Sequence, residues 1–262
     1  MLSKNKISLI NSLKSKKGRL KNKLFLAEGN KLASEILNSK FKIKFLFATN
    51  DWLLENGDIA QNKYEELIQI NEREMKKVSS LTNPQNVLCA VEIPKFHFKE
   101  NELEKELSIV LDKLQDPGNL GTIIRIADWF GISNIFCSSD TVDVYNPKVV
   151  QATMGSIVRV NIHYVDIYSF LKRNFRKENF PIYGSFLNGS NIYETKLKQN
   201  GLIIFGSESN GISDDIEPFV KTKIKIPDFG DTLNSAESLN VAIATGIICS
   251  EFKRNFFVNK LE

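Results

Sequence analysis

From residue 107 onward the chain alternates short apolar runs with helical patterns, and this alternation constrains the fold more than any other feature. "LSIVLD" (107–112), "NIFCS" (134–138) and "GLIIFG" (201–206) are apolar on both pleat faces. Such strands must be covered on both sides, which is the condition of a mainly parallel sheet between helical layers. "RVNIHY", "PIYGSF" and "TKIKIP" read as further strands, with helical patterns at 147–155, 166–178 and 237–254. Ligands of such sheets sit in the loops beyond the strands' C-terminal ends.

The first hundred residues are also of mixed α/β type. "FLAEGNKLASEILNS" reads as a strand end, a glycine turn and a helix with Leu32, Ile36 and Leu37 on one face. "IKFLFAT" (43–49) and "NVLCAVEIP" (86–94) are strand-like, and "EMKKVSSLTNP" (74–84) is a short helix broken at Asn83-Pro84. The charged stretch "KFHFKENELEKEL" (95–107) lacks a periodic apolar face and makes the best linker. A chain of 262 residues has room for two domains, so the expected division is 1–105 and 106–262.

Charge matters here through its distribution. Residues 1–27 hold Lys4, Lys6, Lys14, Lys16, Lys17, Arg19, Lys21 and Lys23 and no acid, although the whole chain carries only +4. Such a block attracts polyanions through counterion release, with a solvated tail as the bland alternative. The same stretch has no continuous apolar core, so it does not read as a secretory signal, and no run reaches the length of a membrane span. Cys89, Cys137 and Cys249 are odd in number and set in apolar sequence, which predicts reduced, buried thiols and a cytoplasmic location. With two histidines and no C-x-x-C pair, a metal site is not expected.

Three loops in the second half are polar and glycine-rich. In "DPGNLGTIIR" (116–125), Pro117-Gly118 suits a type II turn and Asn119 a helix cap, while Gly121 and Arg125 fall on one helix face. In "IIFGSESNGIS" (203–213), a buried strand ends at Gly206, Glu208 is the one charge of the turn, and Ser213 suits a cap. In "IPDFGDTLNSAESLNVAIATGIICSEFKR" (226–254), a polar loop leads into a helix opening with Ser238-Leu239-Asn240. Taken singly, each loop also reads as an ordinary turn or cap.

Their order and spacing together resemble the three motifs of the SpoU (TrmH-type) branch of the SPOUT RNA methyltransferases. The matching positions are Asn119, Gly121 and Arg125, then Gly206, Glu208 and Gly211, then Ile226-Pro227 and Ser238-Leu239-Asn240-Val241. "NPKVVQATMGSIVRV" (146–160) looks like the family's segment between the first two motifs. "RLKNKLFLAEGNKLASEIL" is similar, more loosely, to the small ribosomal-protein-like α/β domain that precedes many such catalytic domains. The loop between Pro227 and Ser238 departs from the pattern in its length and holds a second Leu-Asn pair at 233–234.

The resemblance implies transfer of a methyl group from S-adenosyl-L-methionine to a ribose 2′-hydroxyl of RNA, ribosomal RNA being favoured over transfer RNA. It implies a SPOUT α/β domain with a deep trefoil knot behind a small substrate-binding domain. Gly206, Ile226 and Leu239 would take the cofactor, with small residues leaving it room. Arg125, Asn119, Glu208, Ser238 and Asn240 would form the catalytic surround, and Lys14, Lys16, Lys17, Arg19 and Lys21 would meet RNA. A guanidinium stays charged below a pKa of about 12, so Arg125 either accepts the proton or holds ribose and phosphate while water takes it. A nucleotide-dependent oxidoreductase would need a G-x-G-x-x-G after the first strand, which is absent. The alternative is a non-catalytic RNA-binding protein on the same fold, whose mark would be loss of Arg125, Asn119 or the Ser-Leu-Asn run. The 238–252 helix is apolar nearly all round, and small residues at Ala242, Ala244 and Gly246 allow close approach of a second helix, so a homodimer is expected. The other cover considered for that face is the N-terminal domain.

Overall fold

A computed structural model describes residues 2–60, 63–99, 103–230 and 237–261. The chain opens with helices α1 (Lys4–Leu13) and α2 (Lys16–Asn22), so the basic start is folded and not a tail. Ser3 and Ser15 cap the two helices through their hydroxyls. There follow β1 (Leu24–Glu28), α3 (Asn30–Leu37), β2 (Ile43–Ala48), α4 (Asn50–Ala60), β3 (Tyr64–Gln69), α5 (Glu72–Val78) and β4 (Val87–Glu92). Four strands form one sheet in the order β1-β4-β2-β3, antiparallel except for β2 with β3. Its core joins Ile10, Leu13, Leu26, Phe47, Val78 and Leu88. The sequence reading lacked α4 and β3. An edge strand such as "YEELIQ", with most of its residues exposed, shows no apolar alternation to detect.

The second half runs β5 (Leu107–Leu111), α6 (Pro117–Trp129), β6 (Asn134–Cys137), α7 (Pro147–Ala152), β7 (Asn161–Tyr164), α8 (Ile167–Phe175), β8 (Ile182–Asn191), β9 (Gly201–Phe205), β10 (Thr222–Lys225) and α9 (Val241–Leu261). Six strands form a second sheet in the order β10-β8-β9-β5-β6-β7, and every pairing in it is parallel. Alternation along the central strands assigns its two faces. Val110, Leu202 and Ile204 pack with Phe170 and Leu171 of α8. On the opposite face Tyr183 of β8 meets Phe252 of α9 edge-on at 4.9 Å. Burial holds the Cys89 and Cys249 thiols up at about 12, and raises Cys137 too, so all three are buried, protonated free thiols.

Two compact units emerge, and their limits differ from the expected break near 105. One contains Met1–Lys95 with Asp143–Val158, the other Phe96–Val142 with Arg159–Glu262. Within the first, Arg19 donates through Nε to Asp143 at 2.9 Å, and Phe25 lies 4.8 Å from Tyr145. In the second, the expected linker is anchored: Phe98 packs edge-on against Phe136 at 5.0 Å and His163 at 5.3 Å.

Candidate active site

The three polar loops follow β5, β9 and β10, at the C-terminal ends of parallel strands. In the first, Asp116 and not Asn119 caps α6: its carboxylate accepts from the Asn119 amide at 2.7 Å. Pro117 takes the first helical position, where no N–H is required, so Pro117-Gly118 opens the helix instead of forming a separate turn. Freed from capping, the Asn119 side chain donates from Nδ2 to Glu208 Oε1 at 2.6 Å and accepts from Asn240 Nδ2 at 3.0 Å. The amide supplies both the donor and the acceptor this requires, whereas an ionised aspartate in its place would lack the donor.

Arg125 lies one turn beyond Gly121. Leu120, Gly121, Ile123, Ile124 and Ala127 form the buried side of α6, while Arg125 is exposed and, among the described residues, has no hydrogen-bond or ion-pair partner. Its guanidinium points away from the core.

After β9, Ser207 and Gly211 exchange both main-chain hydrogen bonds at 3.0 Å, and Gly211 sits at φ +67°, a left-handed conformation that favours glycine. A Cβ on Gly206 would fall inside the main chain of Gly211 and Ile212. Gly206 is therefore small because the turn closes on itself, and not simply to leave room for a ligand. Ser213 does not cap with its side chain. Its amide donates to Asp112 Oδ2 at 2.8 Å and its hydroxyl donates to the same oxygen, which ties this turn to the end of β5. Asp112 was missed as a site-building residue. A buried acid ending an apolar strand, as in "LSIVLD", was the available signal.

In the third loop Ile226 is half-buried past the end of β10, and Glu237, Ser238, Leu239 and Asn240 are exposed. The Leu-Asn pair at 233–234 lies outside the described residues. Helix α9 starts at Val241, three residues later than Ser238, because Asn240 is its cap: Oδ1 accepts from the amides of Ala242 at 2.9 Å and Ile243 at 3.3 Å. Glu208, Asn119 and Asn240 thus form one hydrogen-bonded chain across all three loops. Among the described residues no hydrogen bond joins Arg125, Ser238, Ile226 or Leu239 to it. Main-chain polar groups of the 206–211 turn, half-buried Ile226 and exposed Leu239 are of the residue types an adenosine-like ligand uses, apolar cover with polar main-chain contacts. Among the described residues no His, Cys, Asp and Glu group fit to hold a metal ion occurs. No helix among them is long and apolar enough to cross a membrane.

The basic residues of the first unit separate into two kinds. Lys16, Lys17 and Lys21 are exposed, as is Lys14, whose Nζ donates to the Ser79 carbonyl at 2.8 Å. Arg19 is buried, bonded to Asp143 and to the carbonyls of Leu13 and Lys14 at 2.9 and 3.0 Å. It is a structural ion pair and leaves the set expected to meet RNA. On α9, Ala242, Ile248, Cys249 and Phe252 are buried, whereas Ile243 is 56% exposed; Trp129 at the end of α6 is 85% exposed.

Comparison with known proteins gives the following. The model of the SpoU rRNA Methylase family matches residues 106–250, and that of the MRM3-like substrate binding domain matches residues 4–89. A 23S rRNA guanosine 2′-O-methyltransferase of Bacillus subtilis, RlmP, is 27% identical over 237 residues, spanning 90% of this chain and 91% of the relative. A solved structure from the TrmH family of Porphyromonas gingivalis is 36% identical with a TM-score of 0.87, covering 97% of this chain and 99% of that one. An AdoMet-bound rRNA methyltransferase of Sinorhizobium meliloti is 29% identical with a TM-score of 0.83, covering 97% of this chain and 96% of that one.

Proposed function

The chain belongs to the SpoU rRNA methylase family, and on that premise we propose how its three loops carry the family's reaction. The protein is an S-adenosylmethionine-dependent methyltransferase that acts on a ribose 2′-hydroxyl of ribosomal RNA. The observation that carries our reading of the site is the Glu208–Asn119–Asn240 chain, which links all three motif loops through side chains.

S-adenosylmethionine, when bound, supplies a methyl carbon made electrophilic by its sulfonium. Gly206, Ile226 and Leu239 hold the adenosine through main-chain groups and apolar cover. Asn119, with Glu208 and Asn240 fixing its rotamer, sets the geometry of the ribose, and Ser238 offers a hydroxyl at the same rim. The chain's own part would be to aim the ribose 2′-oxygen at that carbon and to leave its hydroxyl proton a path to solvent. Arg125 supplies a fixed positive charge to that oxygen and the neighbouring phosphate. A guanidinium suits this role better than that of a base, because it does not give up its proton near neutrality.

The first hundred residues serve as the substrate-binding domain, with Lys14, Lys16, Lys17 and Lys21 on RNA phosphates. The catalytic domain carries the deep trefoil knot and works in the cytoplasm. Exposed Ile243 and Trp129 are covered by a second copy of the chain. Light scattering at micromolar concentration is expected to give twice the mass of the chain. A fully active monomer would remove the dimer from this reading. The function itself is tested by incubating the protein with labelled S-adenosylmethionine and ribosomal RNA lacking its own modifications. Label is expected in alkali-resistant 2′-O-methyl dinucleotides, and label in base or none at all would refute it.

A further inference from the structure

Helix α8 has a buried face and an unexplained one. Ile167, Phe170 and Leu171 are spent on the sheet. Tyr168, Lys172 and Phe175, at i, i+4 and i+7, line the opposite side, with Tyr168 43% and Phe175 40% exposed. Phe219, from the segment before β10, lies between them: its ring is 5.2 Å from Tyr168 and 5.8 Å from Phe175, each edge-on. Three rings thus form a row spanning roughly 10 Å of helix.

Cations are interleaved with this row. Lys172 Nζ stands 5.6 Å from the Tyr168 ring centre and Lys221 Nζ 5.3 Å from that of Phe175. From Ile167 to Lys177 the chain carries Lys172, Arg173, Arg176 and Lys177 and no acid. Lys177 is paired with Glu104 at 2.9 Å, and Lys223 with Glu217. Among the described residues Lys172, Arg176 and Lys221 have no carboxylate partner. Partial burial, and then the charge of Lys198, depress the Lys221 ammonium, so positive charge there is crowded and not neutralised.

We infer that this face of α8 is a stacking surface for an unpaired stretch of the RNA substrate, outside the methylated nucleotide's site. The inference rests on the RNA methyltransferase reading. Bases stack on exposed rings whatever their sequence, and lysines beside the rings move to the phosphates that follow each base. A protein partner fits this face less well, because interface centres are depleted of lysine, whereas here lysine sits over the rings themselves. The stripe also lies on the sheet face opposite α9, so a second copy covering Ile243 leaves it open.

The test is fluorescence anisotropy with a short labelled oligouridine and an RNA duplex of equal length. Wild-type protein is expected to prefer the single strand. Tyr168→Ala with Phe175→Ala should weaken oligouridine binding by about tenfold, and Tyr168→Phe alone should retain it. Lys172→Gln with Arg176→Gln, which touches only exposed charge, should lower the salt slope by about one unit per lost contact. S-adenosylmethionine affinity, read by calorimetry, should stay unchanged in every variant. Unaltered oligouridine affinity and salt slope in both double variants overturn the inference, as would happen if the stripe docks a protein. Failure of the wild type to bind S-adenosylmethionine or to methylate ribosomal RNA instead overturns the catalytic reading, and the two failures are distinguished by these separate measurements.

Discussion

Arg125→Ala is expected to lower methyl transfer by about 100- to 1,000-fold while S-adenosylmethionine affinity stays within a few-fold. The arginine is exposed and has no hydrogen-bond or ion-pair partner among the described residues, so its removal strands no buried group and should leave the melting temperature unchanged. In the proposed role, what is lost is charge at the attacking oxygen, which would be felt in the transition state and little in cofactor binding. Arg125→Lys should recover only part of the rate, since a point charge replaces a planar fork. Calorimetry showing cofactor affinity falling in step with the rate would assign Arg125 to the cofactor and sink its place beside RNA.

Gly206→Val is expected to do the reverse, and through the fold. Its Cβ would collide with the main chain of Gly211 and Ile212, and main-chain atoms cannot step aside as a side-chain end can. Either the paired hydrogen bonds between Ser207 and Gly211 open or the end of β9 shifts. Overpacking of this kind costs about 1–3 kcal/mol, which for a chain of this size lowers Tm by roughly 2–6 °C. Cofactor affinity should fall at least about tenfold as the turn loses its shape. Gly211→Ala provides the contrast: nothing crowds its Cβ, so only the left-handed backbone is penalised, by about 1 kcal/mol. A Gly206→Val protein that melts and binds cofactor like the wild type would show that the turn tolerates opening.

The sequence by itself determined the parallel sheet, its helical cover and the three polar, glycine-rich loops at its strand ends. Apolar periodicity and glycine placement are local, and both are written within a dozen residues. It also determined that Arg125 faces outward, because its neighbours Ile123, Ile124 and Ala127 claim the inner side of one helix. Tertiary structure alone decided which basic residues of the first helices remain available. Arg19 looks like its neighbours in sequence, yet it is withdrawn by Asp143, 124 positions away, and no local pattern encodes that pairing. The role of Asn119 was decided in the same way. As a cap it would have been a local feature; Asp116 took that place, and partners 89 and 121 positions distant claimed the side chain. Local signals fix what each segment becomes, while the partners of a polar side chain depend on which distant loops the sheet order brings together.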